Sequence, residues 1–551
     1  MKLRLVFLWF LLPVFALTAQ SDSTKTAKRS PKEKYMSSLG IPDPAPFAAG
    51  ITAQDLKSLL DVLASKEMEG RETGEPGQRK AADFIASQFK AAGLPGVADR
   101  NGYFQKISLQ SDNWKDIGLK VGTQEFKNRT DFYAFPAFNE SNPKLELKEV
   151  VFVGYGIEDP KYSDYANTDV KGKAVLFYDG EPIDNAGKSL ITGSEFRSSW
   201  SLDWKRKVEL AKKKGALMAF IVDSNYEEGL KKNRQLVSTR GWKAATSLGD
   251  KQPGDFVNSM FISPAVAAAI LGKKADKAED AISALRSGKE FKPVKVKAKL
   301  EVRLDKETKF LEGSNVVGFI EGTDARLKNE YVFVTAHYDH LGMSDSTVIY
   351  YGADDNASGT SGVIEIARAF AEAKKKGVGP KRSVVCMLVS GEEKGLLGSK
   401  FYVDFPLFPL ERTIADVNID MIGRVDNAHI DNPDYIYVIG ADRISPTLHE
   451  INETANKYFT QLTLDYKYNA ADDPNHYYER SDHYNFAERG IPAIFYFNGT
   501  HADYHRPTDT ADKINFDAMA KRAQLAFYTA WDIANRSTRL TVSMPAKSKK
   551  D

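Results

Sequence analysis

One cysteine, Cys386, is present in 551 residues, so the chain can form no internal disulfide. At this length two to four domains of ordinary size are expected, and core size must supply the stability that disulfides do not. Cys386 sits in the apolar run SVVCMLVS, which reads as a buried, inert thiol. An excess of charge is missing as well: Lys+Arg 76 stand against Asp+Glu 74. That balance lacks the basic footprint of nucleic-acid binding, and no nucleic-acid partner is expected. No apolar run reaches the ~20 residues of a membrane span. The longest, Leu5–Leu17, is broken by Pro13, follows Lys2 and Arg4, and ends at the small Thr18 and Ala19. This is the pattern of a secretory signal peptide over residues 1–19, predicting export to the periplasm or medium with no span left after its removal. Without Lys2 and Arg4 the two signs balance at 74 each. Histidine is absent before His337, and all eight lie between there and His505. Imidazole chemistry therefore belongs to the C-terminal part.

What is there falls into segments. Residues 20–45 are polar and aperiodic and are expected to be a flexible lead-in. A first part of the main domain, 46–144, opens with Thr52 and Asp55 in a variant capping box, then a stripe of Leu56, Leu59, Leu60 and Leu63. A glycine-rich loop, GRETGEPGQ (70–78), leads into a second amphipathic helix. Residues 145–300 change texture, with apolar runs such as VVFVGYGI and KAVLFYDG, and read as a separate, β-rich, non-catalytic module. From 301 to 540 apolar strands alternate with helices, and 541–551 form a basic tail. The alternation predicts an α/β domain whose mixed, mostly parallel sheet is sandwiched by helices.

Ligands of such sheets bind at the carboxyl ends of the strands. YVFVTA runs into His337-Tyr338-Asp339, SVVCMLVS into Gly391-Glu392-Glu393, and IADVNI into Asp420. Asp354-Asp355-Asn356 precedes a helix, and the loop after IPAIFYF holds Tyr504-His505-Arg506. One acidic pair or one histidine alone reads as a cap or a packed surface residue. Two imidazoles and several carboxylates converging need a cation, and mixed donors of this kind suit zinc. The residues by themselves point to metal-assisted hydrolysis.

The set HYDH, GADDNASG, GEEKGLLGS, NIDMIGR, RSDHYNFAERGIPA and YHRPTDT, in that order, resembles metallopeptidase family 28, the family of leucyl aminopeptidases and aminopeptidase Y. The resemblance covers roughly 50–110 and 310–535, while 145–300 is similar to a protease-associated (PA) domain inserted into the peptidase. It implies the zinc-dependent exopeptidase fold and two zinc ions per chain. Asp355 would bridge them, with His337 and Asp420 on one ion and Glu393 and His505 on the other. Glu392 would be the general base that activates a metal-bridging hydroxide. Asp339 would accept the second imidazole N–H of His337, and the peptide after Asp355 is often cis in this family. Tyr478, three residues before SDH, would face the oxyanion, with Tyr477 beside it as the other choice. His340, His429 and His449 receive no role, His483 and Asp482 read as structural, and His476 and His501 flank the site.

The expected function is that of an exported exopeptidase removing N-terminal residues from peptides. A carboxypeptidase of the glutamate carboxypeptidase type would need arginines to hold a substrate carboxylate, and Arg424, Arg480 and Arg506 are available. A catalytically dead receptor scaffold would have lost ligands, and a one-zinc glutaminyl cyclase would depart from the two-metal pattern. Neither gap occurs. The sequence carries no signal for oligomeric state.

Overall fold

The computed structural model describes residues 30–233, 237, 241–245, 253–344 and 347–543. The leader 1–19, the start of the lead-in and most of the basic tail lie outside the described residues. Among the described residues the strands form one fifteen-stranded sheet and two short ribbons. Its catalytic half is built on β1 (Tyr331–His337), β2 (Ser383–Val389), β3 (Thr413–Ile419) and β4 (Ala493–Phe497). These four lie parallel in the order β2-β1-β3-β4. All four are buried along their length because both faces are covered, and the polar Asp416 and Asn418 of β3 accept hydrogen bonds from Thr335. Val332, Val334 and Ala336 pack into the core under the helices Ala53–Leu63, Gly359–Lys375 and Phe516–Asn535. Tyr331 and Phe333 point to the opposite face, against Tyr402, Phe408 and Phe486. Cys386 is buried inside β2, and burial pushes its thiol pKa up, which keeps it inert.

The strand Phe104–Val121 pairs antiparallel with Val294–Ile320 along nearly its whole length, from Phe104 opposite Val316 to Val121 opposite Leu300. This ribbon carries the chain out of the catalytic half and back, and Val316–Ile320 at its base pairs with β2. At its far end the insert corrects two expectations. Its strands Asn142–Phe152, Ala174–Tyr178, Met218–Val222 and Ser259–Ile262 are mutually parallel. Parallel pairs need crossovers, which the helices Lys205–Lys213 and Tyr226–Lys232 help to supply, so the module is mixed α/β rather than β-rich. Its core also begins before residue 145, since Leu119, Phe126, Phe132 and Ala134 pack there with Leu300, Val302 and Leu304.

The lead-in is likewise not all flexible. Ser30 accepts a hydrogen bond from the Glu33 N–H while the Glu33 carboxylate accepts one from Ser30, closing a capping box on the helix Pro31–Leu39. Tyr35 donates to Asp532 at 2.7 Å, and Trp531 donates to the Pro42 carbonyl at 2.9 Å. The reason is tertiary: the C-terminal helix presents partners that no local pattern reveals.

Trp531 is fully buried and stacks on both Phe47 and Phe370. Trp531→Ala is expected to cost about 3–5 kcal/mol of stability, read as a lower urea midpoint with little change in the slope.

Candidate metal centre

All the sequence-derived donors leave the carboxyl ends of parallel strands or the turn before a helix. His337 ends β1, Glu392 and Glu393 follow β2, Asp420 follows β3, and His505 lies in the loop after β4. Asp355 belongs to the turn Ala353–Ser358 that opens the helix Gly359–Lys375, and the Asp355–Asn356 peptide is cis.

Asp355 stands between two groups. Its Oδ1 lies 3.3 Å from His337 Nε2, which is 3.2 Å from Asp420 Oδ1. Its Oδ2 lies 3.0 Å from His505 Nε2, which is 3.2 Å from Glu393 Oε2. Donors on one tetrahedral zinc at ~2.0–2.2 Å are roughly 3.3–3.5 Å apart. The spacings and the nitrogen–carboxylate mixture therefore fit two ions sharing Asp355. His340, given no role by the sequence, joins this cluster: it is buried, with Nδ1 2.8 Å from Glu393 Oε1 and 3.8 Å from Asp355 Oδ2.

The electrostatics follow from burying so many carboxylates together. Burial and the Glu393 and Asp420 carboxylates push the Glu392 pKa well above its ordinary value, offset only partly by His337. Burial would lower the His337 pKa, but Asp420 and Glu392 outweigh it and raise it well above the usual imidazole range. His505 is likewise pushed up to about 10 against burial, by its hydrogen bonds to Asp355 and Glu393. Asp355 is held well below the carboxylate range by His337, His340 and His505, although burial opposes this.

Several supporting residues were invisible in the sequence. Arg71, from the glycine-rich loop, is fully buried and donates to the carbonyls of Leu63, Tyr338, Tyr351 and Gly352, which ties together the segments carrying His337 and Asp355. Burial lowers its pKa to about 10. Asp509 accepts from the N–H groups of Asp354 and Asp355 at 3.0 and 3.2 Å. Ser481 donates to Asp420 Oδ2 at 2.7 Å, and Thr73 to Asp339 Oδ2 at 2.8 Å. The only sequence signals were their places inside the quoted motifs and the glycine-rich loop.

Two expected roles shift. His337 Nδ1 lies 3.1 Å from the Asp339 main-chain carbonyl and 3.8 Å from its carboxylate. The carboxylate is engaged instead by Thr73 and the Glu392 N–H. The cleft is walled by Met421, Tyr477, Phe495 and Phe497, with Arg480 and Tyr504 beside them. Tyr477, not Tyr478, lines it. Tyr478 lies under the Arg443 guanidinium, against His483 and Tyr484. His483 is buried against Phe495, His501 faces Asp354 at 3.2 Å, and His476 is exposed.

Donor set, strand-end placement and cleft define a metallopeptidase-type catalytic domain. Residues 315–530 match the model of Peptidase family M28. The chain is 27% identical over 228 residues to aminopeptidase YwaD of Bacillus subtilis, covering 40% of this chain and 45% of that protein. It is 29% identical over 212 residues to leupeptin-inactivating enzyme 1 of Streptomyces exfoliatus, covering 34% and 43%. The chain thus spans about half the length of these curated relatives. Among solved structures it is similar to an aminopeptidase from Aneurinibacillus sp. strain AM-1, with 20% identity, a TM-score of 0.46, and coverage of 91% of this chain and 98% of that one.

Asp509→Ala removes the acceptor shared by two N–H groups of the metal-bearing turn. It is expected to weaken zinc binding by about 10- to 100-fold, measured by competition with a chromophoric chelator.

Proposed function

We propose that the protein is an exported, zinc-dependent aminopeptidase that binds two ions between the donor groups described above. The observation that carries this reading is the junction of acidic floor and apolar wall: Glu392 and Asp420 face the same cleft as Met421, Tyr477, Phe495 and Phe497. The negative floor favours a substrate terminus that carries an ammonium group, and the wall takes an apolar side chain. Names of relatives such as aminopeptidase YwaD support the direction of cleavage. The pattern of residues 1–19 supports export.

Zinc, when bound, supplies Lewis acidity that lowers the pKa of water toward neutrality. The chain's own residues do the rest. Glu392 accepts a proton from the attacking water as its oxygen bonds to the scissile carbonyl carbon. It returns that proton to the leaving nitrogen as the C–N bond breaks. Burial beside Glu393 and Asp420 raises the proton affinity of Glu392, which favours its holding the proton between the two halves of the transfer. Tyr477 and Tyr504 line the cleft, which supports a phenol as partner of the developing oxyanion. Asp339 and Thr73 steady the Glu392 backbone.

The carboxypeptidase reading needs a free arginine pair. Arg424 is committed to Asp503 at 2.8 Å and stands 3.6 Å from Asp509, leaving Arg480 as the cation lining the cleft.

Purified protein is expected to carry about two zinc per chain by elemental analysis and to cleave aminoacyl anilides with apolar residues. Glu392→Gln should lower kcat by about 10²- to 10⁴-fold with zinc content unchanged. Cleavage confined to peptides with a free C-terminal carboxylate would overturn the aminopeptidase reading.

A further inference from the structure

Glu393 divides its two carboxylate oxygens between two imidazoles. Oε2 is directed to His505 Nε2 at 3.2 Å, beside Asp355 Oδ2, where a second ion fits. Oε1 is directed to His340 Nδ1 at 2.8 Å. The two histidines are not equivalent. His505 lies within 3.2 Å of both carboxylates and is half-exposed in its loop. His340 is fully buried, is 3.8 Å from Asp355, and its Nε2 has no hydrogen-bond partner among the described residues. Its ring is therefore oriented by the Glu393 bond and by shape.

The shape is specific. Gly352 has φ of +54°, and a Cβ there would fall 2.6 Å from Cγ and Cδ2 of His340. The backbone of the metal-bearing turn thus leaves space that the imidazole fills, which locks His340 against both Asp355's segment and Glu393.

Resting on the proposed two-zinc reading, we propose that His340 is a positioning residue: Nδ1–H donates to Glu393 Oε1 and holds Oε2 toward the site shared by Asp355 and His505. It is not itself a metal ligand. A carboxylate freed of this bond rotates about its terminal torsion, and outer hydrogen bonds of this type are worth about 10- to 100-fold in metal affinity. The two zinc sites should then respond differently to loss of His340, because its hydrogen bond is to Glu393 at 2.8 Å while the shared Asp355 stands at 3.8 Å.

The test exploits geometry. An asparagine amide nitrogen can take the place of histidine Nδ1, whereas a glutamine amide reaches toward Nε2 and cannot. Apo wild type and His340→Ala, His340→Asn and His340→Gln would be titrated with zinc against a competing chelator. Folding of each would be checked by circular dichroism and thermal melting. In His340→Ala one of the two equivalents of zinc should lose about 10- to 100-fold in affinity while the other is unchanged. Asn should restore most of the loss and Gln should not. If Ala binds both equivalents as wild type does, or Gln rescues as well as Asn, the positioning role is wrong. Loss of one imidazole from the zinc X-ray absorption spectrum of fully loaded His340→Ala would make His340 a ligand and also overturn it. Wild type that takes up no second zinc would overturn this inference together with the two-zinc reading, which separates the two failures.

Discussion

Five carboxylates, those of Asp339, Asp355, Glu392, Glu393 and Asp420, are buried or nearly so around one cleft, and their mutual repulsion is the constraint on which the catalytic half is built. Isolated buried charge costs several kcal/mol per ion even after relaxation. Three imidazoles, His337, His340 and His505, approach these oxygens, and the proton affinities of His337 and His505 rise accordingly. Divalent ions held by His337, Asp355, Glu393, Asp420 and His505 would supply the missing positive charge. Around it, neutral donors orient the acids: Ser481 on Asp420, Thr73 on Asp339, and main-chain N–H groups on Asp509.

The scaffold meets this demand with strands buried on both faces. A parallel strand ends with its side chains at one sheet edge, so His337, Glu393 and Asp420 come from neighbouring strands without long loops. Arg71 adds a guanidinium whose hydrogen bonds go to four carbonyls, so its charge counts toward the acidic centre while its donors fix the backbone. The ribbon Phe104–Val121 with Val294–Ile320 joins this half to the insert through continuous main-chain hydrogen bonding, which gives the insert a defined place relative to the sheet.

The strand-end motifs were legible because hydrophobic runs and the polar residues that terminate them are local features. The α/β sandwich followed from the same alternation. The lead-in was misread because polar composition conceals a capping box whose helix is anchored through Tyr35 on a distant Asp532. Which of the two tyrosines lines the cleft was hidden for another reason. Tyr477–Glu479 form a turn of 3₁₀ helix, in which adjacent side chains diverge by about 120°, so one of two neighbours must leave the cleft and spacing cannot say which. The insert's helices were underweighted beside its conspicuous strand runs.

By itself, the sequence determined the donor types, their order along the chain and their position at strand ends, since each depends on a few neighbouring residues. It also determined that no disulfide stabilises the chain. Tertiary structure decided which oxygen of Asp355 or Glu393 meets which imidazole, that Arg71 and Asp509 support the site, and that Tyr477 rather than Tyr478 reaches the cleft. Those outcomes depend on register between strands and on the path of the turns, which fix distances between residues far apart in the chain.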